Sequence, residues 1–357
     1  MPERRWDERD VRVRPGRGSR PRTKQRPAHE DARSAMVVAV DRGRYTVLVE
    51  PGTPDETRVV AMKARELGRE RVVPGDRVDV VGDTTGAKDT LARIVRIGAR
   101  RTVLRRTADD TDPVERVIVA NADRLVVVTA LADPEPRTRM IDRCVVAAYD
   151  AGMDVLLALT KADLASPDEL VAMYAPIGVD VVVTRREDDP VTGERRVVGL
   201  DALLAALDGR VSVLVGHSGV GKSTLVNALV PDAHRATGVV NDVTGRGRHT
   251  STSAVALEVP GTSSPTWVVD TPGVRSFGLA HVEPERLVGA FADLADVARD
   301  CPRGCTHLAD SPDCALDDWV AAAPDDATRD ARTARVDSFR RLLVSRLGTA
   351  EPEEPVR

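Results

Sequence analysis

The sequence predicts an α/β nucleotide-binding domain in the middle of the chain, a small all-β domain before it and a helical, metal-binding segment after it. Three observations carry this reading. Residues 216–223 spell Gly-His-Ser-Gly-Val-Gly-Lys-Ser between an apolar run and a helical pattern. A Thr-Lys-Ala-Asp tetrapeptide at 160–163 stands upstream of that loop, although a base-reading motif of this kind ordinarily follows the phosphate loop. Cys301, Cys305, His307 and Cys314 crowd together downstream of both.

The chain has 357 residues, room for two or three domains, and a net charge of −4 that by itself does not argue for nucleic acid. Distribution says more. Residues 1–33 hold eleven Lys and Arg against six Asp and Glu, with Pro and Gly and almost no apolar pattern. A disordered basic arm is expected there. Such an arm neutralises phosphates in a salt-dependent way, or it merely solubilises; both uses stay open.

Residues 34–105 form the predicted β domain. Short alternating runs at Ala35–Val40, Tyr45–Glu50, Arg58–Met62, Arg77–Val81 and Leu91–Ile97 are separated by Gly and Pro turns. Five short strands suggest a small barrel. Aromatic content is only 3%, and Tyr45 is the one candidate for stacking a base. An RNA contact here is therefore expected to use shape and phosphates rather than base reading.

Residues 106–285 carry the nucleotide motifs. Cys144 stands alone on a predicted helix and reads as a core residue. Val155–Leu159 is a buried strand, ending at Thr160, Lys161, Ala162 and Asp163. A carboxylate accepts paired hydrogen bonds from guanine N1–H and N2–H₂, a pair adenine lacks, so Asp163 is the expected discriminator. The stem of Lys161 would pack over the base. Thr160 stands where Asn is usual; it keeps a hydrogen-bonding group but loses an amide, which weakens grip more than it changes specificity. Val181–Val183 and Thr184 read as the next strand and the loop backing the base.

Val211–Val215 is the strand before the phosphate loop, and Ser223–Leu229 starts the helix after it. Strand, glycine loop and helix together are the context that confirms a P-loop. Gly216, His217, Ser218, Gly219, Val220, Gly221 and Thr224 would wrap the phosphates with backbone N–H groups at a helix N-terminus. Lys222 would reach the β- and γ-phosphates, and Ser223 would offer its hydroxyl to magnesium. Trp267–Val269 then leads into Asp270-Thr-Pro-Gly273. Asp270 would hold magnesium through water, and the Gly273 N–H would sense the γ-phosphate. Val274 occupies a position where a water-orienting Gln is common, and an apolar side chain cannot fill that role.

Residues 286–350 are read as a helical zinc domain, with 351–357 a tail. Three thiolates and an imidazole, spaced C-x3-C-x-H-x6-C, make a structural zinc set for one ion with no open position. The Arg-rich start lacks a secretory apolar region, so a reducing, cytoplasmic setting favours metal over disulfide. Residues 328–347 read as a helix with Val336, Phe339, Leu343 and Leu347 on its apolar stripe. Arg329, Arg332, Arg335, Arg340, Arg341 and Arg346 fill much of the rest, either as a solvated face or as an RNA contact. No apolar run is long enough to cross a membrane, and a monomer is expected.

The motif order, with Gly-Arg-Gly-Arg-His-Thr at 245–250 between the P-loop and Asp270, resembles the circularly permuted GTPases. More specifically, the chain resembles the ribosome-small-subunit-dependent GTPase family, RsgA or YjeQ. Asn121-Ala122-Asp123 followed by Leu125–Val128, which resembles the family's first GTPase strand, Asp142-Arg143 on the helix after it, and Arg100-Arg101-Thr102-Val103-Leu104-Arg105-Arg106 at the domain junction fit it, and the likeness covers residues 34–347. The resemblance implies a circularly permuted P-loop GTPase domain flanked by an N-terminal OB-fold and a C-terminal zinc domain. It implies a switch I histidine, His249, that handles the attacking water. Thr250 is assigned as the switch I magnesium ligand, with Thr252 an alternative. It implies the small ribosomal subunit and its rRNA as partners, with GTP bound and hydrolysed to GDP during late subunit assembly. In the family one more residue separates the first two cysteines and one fewer separates His from the last, so the loop path here must differ. An RNA-binding module that uses GTP only as a conformational ligand is the competing reading. Asp163 argues against a small-molecule kinase.

Overall fold

In the computed structural model the described residues are 29–107, 114–188, 195–231, 233, 254–271, 278–279 and 281–347. The expectations for the basic arm up to residue 28, for Arg246, Arg248, His249, Thr250, Thr252, Gly273 and Val274, and for the 351–357 tail lie outside them.

The first five strands are β1 (Arg33–Asp41), β2 (Arg44–Val49), β3 (Thr57–Lys63), β4 (Arg77–Gly82) and β5 (Ala92–Ile97). β1 pairs β2, β2 pairs β3, β3 pairs β5, β5 pairs β4 and β4 returns to β1, which closes a five-stranded barrel. Period-2 alternation sends Val47 with Val49, Val59 with Ala61, Val78 with Val80 and Ala92 with Ile94 into its interior. Tyr45 shares that parity and is 8% exposed in the barrel core. It is not available to stack a base, which corrects the role considered for it.

A hairpin of β6 (Val103–Arg106) and β7 (Arg116–Ala120) leads out of the barrel. Then come β8 (Arg124–Ala130), α1 (Thr138–Asp150), β9 (Asp154–Thr160), α2 (Asp168–Tyr174) and β10 (Asp180–Val183). A second hairpin, β11 (Arg185–Asp188) with β12 (Arg195–Val198), precedes α3 (Leu200–Leu207). β13 (Val211–Val215), α4 (Lys222–Leu229), β14 (Val255–Glu258) and β15 (Trp267–Asp270) complete the central domain.

Strands β10, β9, β8, β13 and β15 lie side by side in parallel, and β14 joins β15 antiparallel. The parallel strands are apolar on both faces, as strands covered by helices on both sides must be. Leu125, Val127, Leu157, Leu159, Val213 and Val215 face α1 residues such as Ile141 and Val145. Val126, Val128, Leu156, Ala158 and Leu214 face Leu203, Leu225 and Leu229 of α3 and α4. β14 also bonds β1 at Ala39 and Val255, so the central sheet runs on into the barrel.

The last segment is α5 (Pro284–Val288), α6 (Ala292–Ala298), α7 (Ala315–Ala321) and α8 (Asp326–Leu347). Its core is continuous with the α1 face of the sheet: Phe291 meets the ring of Tyr149 edge-on at 5.2 Å and that of Phe339 at 5.5 Å. On α8, Val336, Phe339, Leu342 and Leu343 are buried, whereas Leu347 is exposed and outside the expected stripe. Five of the six arginines of α8 are not simply a solvated face, because they bond groups elsewhere in the fold. Arg332 donates to the Trp319 carbonyl (2.5 Å), Arg335 to the Pro176 carbonyl (2.6 Å), Arg340 to Asp317 (2.8 Å) and Arg341 to Asp142 (3.1 Å). Arg346 bonds the Val282 carbonyl, and Arg329 pairs with Asp326 within the helix. All but Arg329, which stays on the exposed side, fasten α8 to its own fold.

Candidate nucleotide site and metal centre

The parallel strands deliver three motifs to one edge of the sheet, outside their carboxyl ends, where open α/β sheets build ligand sites. Thr160 ends β9, Gly216 follows β13 and Asp270 ends β15. Residues distant in sequence, and in inverted order, are thereby neighbours in space.

The loop 216–221 can fold this way because of its glycines. Gly219 and Gly221 have φ of +84° and +91°, a region that side chains with a Cβ rarely enter. A Cβ on Gly216 would stand 2.7 Å from the Val128 carbonyl oxygen. Gly221 caps α4, so the free N–H groups of its first turn face the loop. Val220 is buried, Ser218 and Ser223 are exposed, and Nδ1 of His217 lies 3.1 Å from the Ser218 carbonyl oxygen.

Two contacts tie the motifs together. The buried Thr160 hydroxyl donates to the Val220 carbonyl at 2.6 Å, so the threonine in place of the usual Asn holds the P-loop. The Lys222 ammonium is ion-paired with the Asp270 carboxylate and lies 3.5 Å from the Thr271 carbonyl oxygen. Thr271, not singled out in the sequence, donates to the Leu214 carbonyl at 2.7 Å and pins the end of β15 against β13.

Lys161 sits at φ +57°, and its ammonium bonds the Asp133 carbonyl. Asp163 is exposed. The loop between them is held by the Ala162 N–H on the Thr184 carbonyl (3.2 Å), while the Thr184 N–H bonds Leu159 (2.7 Å). The residues expected to read and back a base are thus adjacent. Arg186 of β11 carries no signal in the sequence, yet its guanidinium bonds the Thr224 hydroxyl on the first turn of α4.

The cysteine cluster assembles as its spacing predicts. Nδ1 of His307 lies 3.6 Å from Cys301 Sγ, 3.5 Å from Cys305 Sγ and 3.8 Å from Cys314 Sγ, and all four ligand atoms fall within 4.8 Å of one another. A tetrahedron with ordinary Zn–S and Zn–N bonds has S···N edges of about 3.6 Å. The altered loop spacing is absorbed by a turn in which the Cys305 N–H bonds the Pro302 carbonyl (3.1 Å) with Gly304 at φ +81°. Burial, and then the neighbouring Arg340 guanidinium, hold the His307 imidazole below its ordinary value. This favours the neutral form, the one that binds a metal. Arg340 also donates to the His307 carbonyl at 3.0 Å, which joins the cluster to α8. Cys144, by contrast, is fully buried in the core, its thiol pushed up to about 12 by burial.

Comparisons with known proteins agree with this geometry. A family model described as RsgA GTPase matches residues 97–280. The small ribosomal subunit biogenesis GTPase RsgA of Pseudomonas aeruginosa is 39% identical over 235 residues, which is 64% of this chain and 64% of that protein. The chain thus spans just under two thirds of that relative's length. The protein of the same name from Chlorobaculum parvum is 32% identical over 321 residues, 87% of this chain and 97% of the relative. The crystal structure of YjeQ from Thermotoga maritima superposes with a TM-score of 0.60 at 26% identity, covering 89% of this chain and 99% of that one. YloQ, described as a circularly permuted GTPase, has a TM-score of 0.60 at 20% identity over 92% of this chain and 99% of its own, a likeness of fold alone.

Proposed function

The chain belongs to the RsgA GTPase family, and from that premise we propose that it hydrolyses GTP to GDP and phosphate in a cycle of binding to, and release from, the small ribosomal subunit during late assembly. The observation that carries this reading is the meeting of residues 160–163, 216–224 and 270 at one end of the parallel strands, joined by the Thr160–Val220 bond.

Asp163 accepts from guanine, Lys161 covers the base, and the N–H groups of Gly216–Thr224 hold the phosphates. Lys222 neutralises the terminal phosphates, and Asp270 serves the magnesium that Ser223 and Thr250 ligate; the ion withdraws charge from the phosphates when bound. The Lys222–Asp270 pair supports this, because a phosphate–magnesium pair between the two side chains replaces one ion pair by two. Gly273 senses the γ-phosphate and His249 orients the water.

Cys301, Cys305, His307 and Cys314 hold one structural zinc, and four protein ligands leave no open position for catalysis. The boundaries are a basic arm at 1–33, an RNA-binding barrel at 34–105, the GTPase domain at 106–285 and the zinc domain at 286–350. No helix of the described residues is long and apolar enough to cross a membrane, and the chain is proposed to act as a cytoplasmic monomer on rRNA. GTP turnover measured alone, with small subunits and with large subunits tests the reading. Stimulation by small subunits alone, lost in Lys222→Ala, is expected. Tight GTP-dependent binding without stimulated turnover would instead favour a module that uses GTP only as a conformational ligand.

A further inference from the structure

We infer that Arg186 is a nucleotide-binding residue that engages the α-phosphate; this rests on the guanine nucleotide site proposed above. Arg186 is the second residue of β11, two positions after Thr184, whose N–H bonds the Leu159 carbonyl (2.7 Å) beside the 160–163 loop. Its register opposite Val197 in the β11–β12 hairpin fixes its place. From there the guanidinium reaches the Thr224 hydroxyl, one residue beyond Lys222 and Ser223.

Charge makes this position informative. Among the described residues the ion pairs of the hairpin run from Arg185 to Glu187 (2.6 Å) and from Arg196 to Glu187 (3.3 Å). Arg186 faces a neutral hydroxyl instead. The first turn of α4 is the positive end of a helix dipole and already carries Lys222, so a guanidinium there is opposed unless an anion lies among them.

Direction identifies which part of the anion. The Asp163 loop marks the base end of the site, and the Lys222–Asp270 pair marks the terminal-phosphate end. Arg186 arrives from the base end and stops at the residue after Ser223. The phosphate between a base and its β-phosphate is the α-phosphate, and a planar guanidinium matches phosphate oxygens with paired N–H groups.

The test uses the full chain and displacement of a fluorescent GDP by guanosine, GMP and GDP. Losing a hydrogen bond to a charged group corresponds to about a tenfold or greater change. Arg186→Ala is expected to weaken GMP and GDP by at least about that factor and to leave guanosine unchanged, with Arg186→Lys recovering part of the loss. Equal losses for all three ligands would mean that Arg186 merely props the hairpin or touches the ribose. No loss for any would mean that it serves only Thr224. Either result overturns the inference. If the unaltered chain binds ADP as tightly as GDP, the guanine assignment falls instead, and adenosine, AMP and ADP then test Arg186 in the same way.

Discussion

Replacing Arg341 by Ala removes the cation that lets a buried carboxylate stay charged between α1 and α8. Asp142 is 3% exposed. It accepts from Arg341 Nε at 3.1 and 3.2 Å and from the Tyr174 hydroxyl at 2.9 Å. Arg341 also lies 4.9 Å above the Tyr174 ring and donates to the Met173 carbonyl at 3.3 Å. Without it Asp142 keeps one neutral donor, and an uncompensated buried charge costs about 3–5 kcal/mol. Asp142→Asn costs less, about 1–2 kcal/mol, because Arg341 is partly exposed and retains Met173 and water.

The two variants also differ in pH dependence. Burial raises the Asp142 carboxyl above its ordinary value, against the opposing pull of Arg341 and Tyr174. A carboxyl raised in the folded state binds more protons folded than unfolded, so its contribution to stability is full at low pH. It is lost as pH rises from the ordinary carboxylate range through the folded value. Arg341→Ala pushes that folded value higher still. Its cost, read from urea unfolding followed by tryptophan fluorescence, should therefore be larger at about pH 8 than at about pH 5.5. An equal cost at both values, or a larger cost for Asp142→Asn, would refute the reasoning.

Three further outcomes are expected. Thr160→Val strands the buried Val220 carbonyl, worth about 1–3 kcal/mol, and should weaken GDP binding while leaving the preference over ADP intact; unchanged affinity in a titration would show that the P-loop holds without it. Elemental analysis of reduced protein should find one zinc per chain, and chelation should open residues 281–347 to proteolysis while GDP binding persists; absence of zinc or loss of GDP binding would contradict this. His249→Ala should lose most small-subunit-stimulated turnover yet keep GTP-dependent binding to the subunit, and normal stimulated turnover would remove His249 from its role.

The barrel strands were legible because alternation and turn residues coincide: each expected run lies within a residue or two of β1 to β5. The same alternation contained the correction to Tyr45, which shares the parity of Val47 and Val49 and so had to point inward. The P-loop and the cysteine–histidine cluster were legible because their chemistry is local in sequence. Arg186 was not, because Arg185–Asp188 has neither apolar alternation nor helical period, and its partner Thr224 is 38 positions away. The internal bonds of five α8 arginines left no sequence signal for a related reason. A helical wheel places them on a polar face, and only the tertiary fold brings Asp142, Met173 and Pro176 to meet them. The run of the central sheet into the barrel, through Ala39 and Val255, likewise left no local trace.

The central claim is that an upstream base-reading loop and a downstream phosphate loop form one guanine-specific site. The most direct measurement is competition of GDP, XDP and ADP for the unaltered chain and for Asp163→Asn. An amide donor suits the exocyclic oxygen of xanthine as the Asp163 carboxylate suits the guanine N–H pair. The account predicts GDP preference in the unaltered chain and a shift to XDP in the variant, with ADP weak in both. ADP binding as tight as GDP, or an Asp163→Asn variant with an unchanged base preference, would contradict it.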